Sequence, residues 1–371
     1  MQINRRQWLK SAGLAGSVAL LGGLPSLSTA EQRKFNPRQS NGTILLNSNE
    51  NPYGPSARVQ EAIKKGFDIA CRYPFAYSRE LEQMIAEKEG VPTDHIVICG
   101  GSTEGLKVTG ITFTAGGGEI IAAQPTFLSM MEYAGQWGAS INWVPVDKDM
   151  QHDLDEMEKR ISSKTRLIFL CNPNNPTSTL LPAQRVLDFC QAASKKTIVF
   201  SDEAYYDFIE EPNYPSMVQL VKQGRDVIVS RTFSKVYGLA GLRIGYLIAR
   251  PALAEKIRNN IVAYTNVLAI EAARAALVDK EFYSFSLQKN REAKQLITKV
   301  LDEMNLNYLT SHTNFVFFHT GRDIKTLQQQ MKAEGVHIGR PFPPFTDWCR
   351  ISTGTVEEIQ LFAQTLQKVM G

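Results

Sequence analysis

Seven short apolar runs, each parted from the next by enough chain to form a helix, constrain this sequence more than any other feature. They occupy residues 95–99, 120–123, 141–146, 166–171, 197–201, 227–230 and 244–249. A strand covered on one face alternates apolar with polar residues, whereas a strand covered on both faces is apolar almost throughout. Val227-Ile228-Val229-Ser230 and Ile120-Ile121-Ala122-Ala123 are of the second kind. The pattern predicts an α/β fold, with a mostly parallel seven-stranded sheet between helices. A helix is expected from Ser78, with Leu81, Met84 and Ile85 on one face and Gly90 at its end.

From about residue 271 the rhythm changes. A long charged helical stretch leads to a strand at 314–318, a helix at 324–334, a strand at 348–352 and a last helix at 356–370. This reads as a smaller α+β domain. A chain of 371 residues exceeds what one ordinary core holds, which agrees with two parts. The expected division is a signal at 1–30, an N-terminal arm and part of the small domain at 31–70, a large domain at 71–265 and a C-terminal small domain at 266–371.

Residues 1–30 read as a targeting segment. The charged stretch around Arg5-Arg6 precedes a short apolar run ending near Leu24, and Ser28-Thr29-Ala30 offers a cleavage site. The apolar run falls short of the ~20 residues a spanning helix needs. The arginine pair resembles a twin-arginine export signal, which implies an exported or periplasmic protein and the twin-arginine machinery as partner. A cytoplasmic protein with an amphipathic arm, or a retained anchor, remain the other readings. The formal charge of +4 is partly owed to this segment, so charge makes no case for nucleic-acid binding. The five cysteines (Cys71, Cys99, Cys171, Cys190 and Cys349) form no Cys-x-x-Cys, and the five histidines are dispersed. Neither a disulfide framework nor a metal site is expected.

Ligands of open α/β sheets lie beyond the carboxyl ends of the strands. Four polar segments fall there. Gly100-Gly101-Ser102-Thr103 opens a helix and could cradle a phosphate, though alone it is only a glycine-rich turn. Asn172-Pro173-Asn174-Asn175-Pro176-Thr177 is a rigid polar turn, either a plain loop or a ligand wall. Asp202-Glu203-Ala204-Tyr205 places a carboxylate at a strand end, as a helix cap or as the partner of a buried cation. Thr232-Phe233-Ser234-Lys235 through Arg243 sets a lysine among hydroxyls and apolar residues, unlike a solvated one. Desolvation would lower that lysine's pKa and suit it to attack and to proton transfer. Thr232, Ser234 and Arg243 could hold a phosphate. Together the four supply a phosphate cradle, an asparagine, an aspartate and a lysine, a set that fits pyridoxal phosphate.

With Asn49-Glu50-Asn51-Pro52, Arg72-Tyr73-Pro74 and Arg350-Ile351-Ser352-Thr353-Gly354, these motifs resemble the fold-type I (aspartate aminotransferase-like) aminotransferases, especially the histidinol-phosphate aminotransferase-like group. The resemblance covers nearly all the chain after the signal. It implies ping-pong transamination between an amino donor and a 2-oxo acid. Lys235 would carry the covalent link to the cofactor and move the proton, and Asp202 would pair with the pyridine nitrogen. Asn175 and Tyr205 would bond the ring oxygen, and Ser102, Thr103, Thr232, Ser234 and Arg243 would hold the phosphate. Arg350, with Arg340 and Asn49, would bind the substrate. Tyr73 would reach the neighbouring subunit's cofactor, making the site shared in a homodimer.

The chain departs from the family pattern in places. Phe127 stands where a tyrosine usually stacks over the ring, and Ser178 replaces a usual glycine. Arg340-Pro341-Phe342-Pro343-Pro344-Phe345 is a stiff segment, either a selector of the substrate side chain or a packed loop. The export signal points away from histidine biosynthesis. A decarboxylase or lyase, such as the threonine-phosphate decarboxylases, and a non-catalytic binder are the competing readings.

Overall fold

A computed structural model of the chain describes residues 42–371, and the targeting segment at 1–30 lies outside them. Strand β1 (Ile44–Leu45) is followed by helices α1 (Ala57–Gly66) and α2 (Phe75–Glu89). β2 (Ile96–Cys99), α3 (Ser102–Thr114), β3 (Gly118–Gln124), α4 (Ser129–Gln136) and β4 (Ala139–Pro145) come next. Then follow α5 (Leu154–Lys159), β5 (Thr165–Cys171), α6 (Ala183–Ala193) and β6 (Ile198–Asp202). The short α7 (Val218–Lys222) precedes β7 (Val227–Thr232) and β8 (Gly245–Ala249). Strands β2 to β8 form one seven-stranded sheet in the order β2-β8-β7-β6-β5-β3-β4.

β4, β3, β5, β6 and β7 pair in parallel. β8 runs antiparallel to both β7 and β2. The segment joining β7 to β8 holds only a three-residue turn (Ala240–Leu242), with no helix to carry the chain back across the sheet. The strand runs are apolar on both faces because both faces are covered. In β5, Leu167 and Phe169 pack into one cluster, and Ile168 and Leu170 into the other. Ile120 and Ile121 of β3 divide the same way, as do Ile228 and Val229 of β7.

α2 starts at Phe75, one turn before the expected Ser78, whose N–H already donates to Pro74 O at 2.8 Å. Its Leu81 and Ile85 are fully buried against the sheet, each worth roughly 1.5–3 kcal/mol. Gly90 ends the helix in the left-handed conformation its φ of 66° requires.

The rest of the chain adds α8 (Pro251–Arg258), α9 (Val267–Leu277) and the long α10 (Lys280–Glu303). β9 (Phe315–His319), α11 (Ile324–Ala333), β10 (Val336–His337), β11 (Trp348–Ser352) and α12 (Val356–Met370) complete it. Ala269, Ile270 and Ala273 of α9 pack into the large sheet's core. A separate core gathers Ile297 of α10, Phe318 of β9, Ile351 of β11 and Phe362 of α12, with Ile44 and Leu46 from the start of the chain. β1 pairs with β10, and Ser352 N–H donates to Leu46 O at 3.0 Å. The segment after Leu46 therefore leaves one core and enters the other. It is pinned on the way by Gly54, where a Cβ would lie 2.6 Å from the Cα of Gly238. Gly238 itself has φ of 70°, so both positions exclude a side chain.

Candidate active site

The carboxyl ends of β3, β5, β6 and β7 open into a cavity of about 370 Å³. At its rim the chain leaves β2 through Gly100 and Gly101 and enters α3 at Ser102. Gly101 has φ of 77°, and a Cβ there would collide with the Arg243 guanidinium. A Cβ on Gly245 would lie 2.6 Å from Ser102 N. The two glycines thus let Arg243 approach the N-terminal N–H groups of a thirteen-residue helix. Arg243 Nη1 donates to Ala240 O at 2.8 Å and Ser234 Oγ at 3.5 Å, and Thr232 Oγ1 accepts from Ser234 N–H at 3.1 Å. Among the described residues, Arg243 makes no ion pair with a carboxylate. A helix N-terminus, two hydroxyls and an unanswered arginine fit a phosphate.

Asp202 ends β6. It is 2% exposed, and its Oδ1 has no hydrogen-bond partner among the described residues. Burial pushes its carboxyl up to about 7, only partly offset by the Ala204 N–H and Lys235. A buried carboxylate oxygen left open in this way fits a cation, such as a protonated pyridine nitrogen. Lys235 is half-buried on the cavity wall, and desolvation, helped by Arg350, brings its amine down to about 8. Its Nζ donates to Asn49 O at 2.9 Å.

Tyr205 OH accepts from Asn49 Nδ2 at 2.9 Å and from Asn175 Nδ2 at 3.3 Å. Burial raises its pKa and keeps the phenol protonated. Arg350, in the middle of β11, donates from Nη1 to Asn175 Oδ1 at 2.7 Å and from Nη2 to Asn47 O at 2.6 Å. Its Nε is buried without a partner, and no carboxylate pairs with it among the described residues. Burial lowers its pKa to about 10, with Arg340 adding to the effect and Tyr205 opposing it. Phe342 stacks under both guanidinium groups, 4.4 Å from Arg340 and 4.9 Å from Arg350.

Of the residues singled out from sequence, Ser102, Thr103, Phe127, Asn175, Asp202, Tyr205, Thr232, Ser234, Lys235, Arg243, Arg340, Arg350 and Asn49 all line this one cavity. Tyr73 does not. It is 78% exposed and stacks on Phe75, which meets Tyr264 edge-on. Ser178 keeps the backbone its position demands, with φ of 61°, and its hydroxyl donates to Thr177 O.

Sequence reasoning gave no role to Glu50, Thr126 and Ser352, and left the Phe342 segment open between substrate selection and packing. Thr126 Oγ1 braces Asn174 Oδ1 at 2.8 Å. Ser352 lies two residues after Arg350 on one strand, hence on the same face, a signal the spacing does carry. A larger depression of about 520 Å³ lies elsewhere on the surface, beside Arg231 and Tyr206. There Arg231 is already paired with Glu203 at 2.8 Å and stacked on Tyr206 at 4.0 Å. The smaller cavity, which gathers the unanswered charges, is the one equipped for chemistry.

The family model described as aminotransferase class I and II matches residues 41–366, and the chain belongs to that family. A histidinol-phosphate aminotransferase of Halalkalibacterium halodurans is 36% identical, over 85% of this chain and 86% of that protein. One from Akkermansia muciniphila is 35% identical over 95% and 96%. The crystal structure of the Sinorhizobium meliloti histidinol-phosphate aminotransferase, in complex with pyridoxal-5'-phosphate, is 28% identical. It covers 88% of this chain and 90% of that one, with a TM-score of 0.82. The chain is a pyridoxal-phosphate-dependent aminotransferase similar to the histidinol-phosphate aminotransferases.

Proposed function

We propose that this chain moves an amino group from a donor amine bearing a phosphate or carboxylate to a 2-oxo acid. Arg350, assisted by Arg340, would be its anion receptor. The reading rests on one observation: a desolvated lysine, a carboxylate oxygen without a partner and a buried guanidinium without a counter-charge face one cavity.

When bound, pyridoxal phosphate supplies an aldehyde that condenses with amines and a ring that takes up the electron pair left when the substrate's α-carbon loses its proton. Asp202 Oδ1 holds the positive charge of the ring nitrogen. The α3 N–H groups of Ser102 and Thr103, the Thr232 and Ser234 hydroxyls and Arg243 hold the phosphate. Tyr205 donates its O–H to the ring oxygen, and Phe127 supplies a flat apolar contact. Lys235, lowered to about 8, has a substantial neutral fraction at mildly alkaline pH. Its neutral amine would serve as the nucleophile toward the cofactor's aldehyde and as the base that takes the proton from the substrate α-carbon at Nζ. Asn49 O receives that amine.

The purified protein, mixed with a panel of donors including glutamate and histidinol phosphate, tests this. A visible band near ~420 nm that bleaches toward ~330 nm with one donor and returns with a 2-oxo acid is the expected result. A band that no donor shifts would refute the transfer.

The exposed Tyr73, stacked on Phe75, supports a homodimer in which it completes the partner's site. Sedimentation of the wild type against Tyr73→Ala and Phe75→Ser checks that. The Arg5-Arg6 pair supports twin-arginine export. Retention of an Arg5→Lys, Arg6→Lys variant in the cytoplasm is the corresponding test.

A further inference from the structure

Ser352 ends β11 and is buried, far from Tyr205 in sequence. Its hydroxyl makes two bonds to one residue. It accepts from Asn49 N–H at 2.8 Å and donates to Asn49 Oδ1 at 3.0 Å. An amide side chain has one accepting end and one donating end. With Oδ1 facing the serine, Nδ2 faces Tyr205 OH at 2.9 Å and must donate to it. Asn175 is fixed in the same sense, because Arg350 occupies its Oδ1 at 2.7 Å and leaves Nδ2 for Tyr205. The phenol oxygen therefore accepts two N–H groups. Its own proton has no protein acceptor among the described residues and is left for the cavity. Asn49 also holds a left-handed backbone, with φ of 55°, a conformation asparagine tolerates better than most residues. That backbone aims its carbonyl at Lys235 and Asn314.

We propose that Ser352 is a positioning residue which, by fixing the orientation of the Asn49 amide, makes Tyr205 a donor into the cavity and never an acceptor toward it. This rests on the assignment above of Tyr205 to the cofactor's ring oxygen. Without the serine hydroxyl the Asn49 amide is free to turn over. Its Oδ1 would then accept the phenol proton, and the cavity would lose a donor. An anionic ring oxygen that loses a donor leaves the neighbouring lysine linkage more basic.

The test follows the visible band of the cofactor-loaded, substrate-free protein as a function of pH. The expected results are an upward shift of the titration midpoint by about one pH unit in Ser352→Ala, and a midpoint near the wild-type one in Asn49→Gly, which tolerates φ of 55° and has no amide oxygen to capture the phenol proton. Ser352→Thr, which keeps the hydroxyl, should restore the wild-type midpoint. Because the serine acts through the asparagine, adding Ser352→Ala to Asn49→Gly should move it no further. A Ser352→Ala shift that persists in the Asn49→Gly background, or a Ser352→Ala protein that titrates like the wild type, would overturn the proposal. Should the alanine protein not fold, an unmoved midpoint in Asn49→Asp, whose second oxygen accepts the phenol proton in place of Nδ2, would do so. A wild-type protein with no titrating band at all would refute the role of Lys235, and this proposal with it. An unmoved Ser352→Ala protein beside a normal wild type refutes the proposal alone.

Discussion

Asp202 and Lys235 are each driven toward neutrality by burial, and a bound cofactor answers both. Without it, Asp202 is a liability to the fold. Its native pKa of about 7 lies above the value for an unfolded chain, ~3.9. The native state then binds the proton more tightly, so this group's contribution falls as pH rises from about 4 to 7. Asp202→Asn should therefore stabilise the cofactor-free protein by on the order of 2 kcal/mol at pH 8, and the gain should shrink toward zero near pH 4. Urea unfolding of the two apo-proteins at both pH values checks this. The same substitution should slow transamination by ~10²–10⁴-fold, because a neutral amide cannot hold the ring nitrogen's charge. Stability and activity thus move in opposite directions at one atom.

At the scale of elements, the site depends on joints more than on strands. Gly54 and Gly238 touch backbone to backbone, which sets the distance from the Asn49 segment to the Lys235 loop. Gly238→Ala adds a methyl where no flexible side chain can yield, at a positive φ, and should destabilise the fold by about 2–4 kcal/mol. A fall in thermal midpoint together with weaker cofactor retention is the expected reading. α12 shows the opposite case, a joint that only caps. Thr355 and Glu358 bond each other's backbone N–H in a capping box, at 3.2 and 2.9 Å. Thr355→Ala should lose about 1 kcal/mol by denaturant unfolding, with the cofactor spectrum unchanged. The strands were legible because burial on both faces leaves a continuous apolar run, visible in Ile228 and Val229. The direction of β8 was not, since nothing in Gly245–Ala249 distinguishes a parallel from an antiparallel neighbour. The start of α2 was misplaced by one turn because Ser78 has capping chemistry but is already inside the first turn. Lys235, Asp202 and Arg243 stood out by their place at strand ends. Asn49 was expected to touch substrate, and its bonds to Ser352, Tyr205 and Lys235 come from three distant parts of the chain that no local pattern links.

Across the whole molecule, the cavity lies where two cores meet. Lys235, Asp202 and Tyr205 hang from the large sheet, while Arg350 comes from β11 in the smaller core and Asn49 from the segment that passes between them. The change of rhythm near residue 271 led to the expectation of a small domain from residue 266; α9 packs in the large sheet's core, and the separate core draws on α10 and the elements after it. Residues 31–70 were expected as an N-terminal arm and part of the small domain, and Ile44 and Leu46 lie in the later core. Arg350 has a consequence for how the protein behaves in ordinary solutions. A buried guanidinium with one open N–H and no counter-charge attracts whatever small anion the medium supplies. Buffer phosphate or sulfate should therefore compete with an anionic donor, raising its KM about two- to tenfold by ~0.1 M while kcat stays constant. Initial rates at fixed ionic strength, with chloride exchanged for phosphate, would show it. The same preference makes the choice of purification buffer a variable in every measurement of this protein's substrate range.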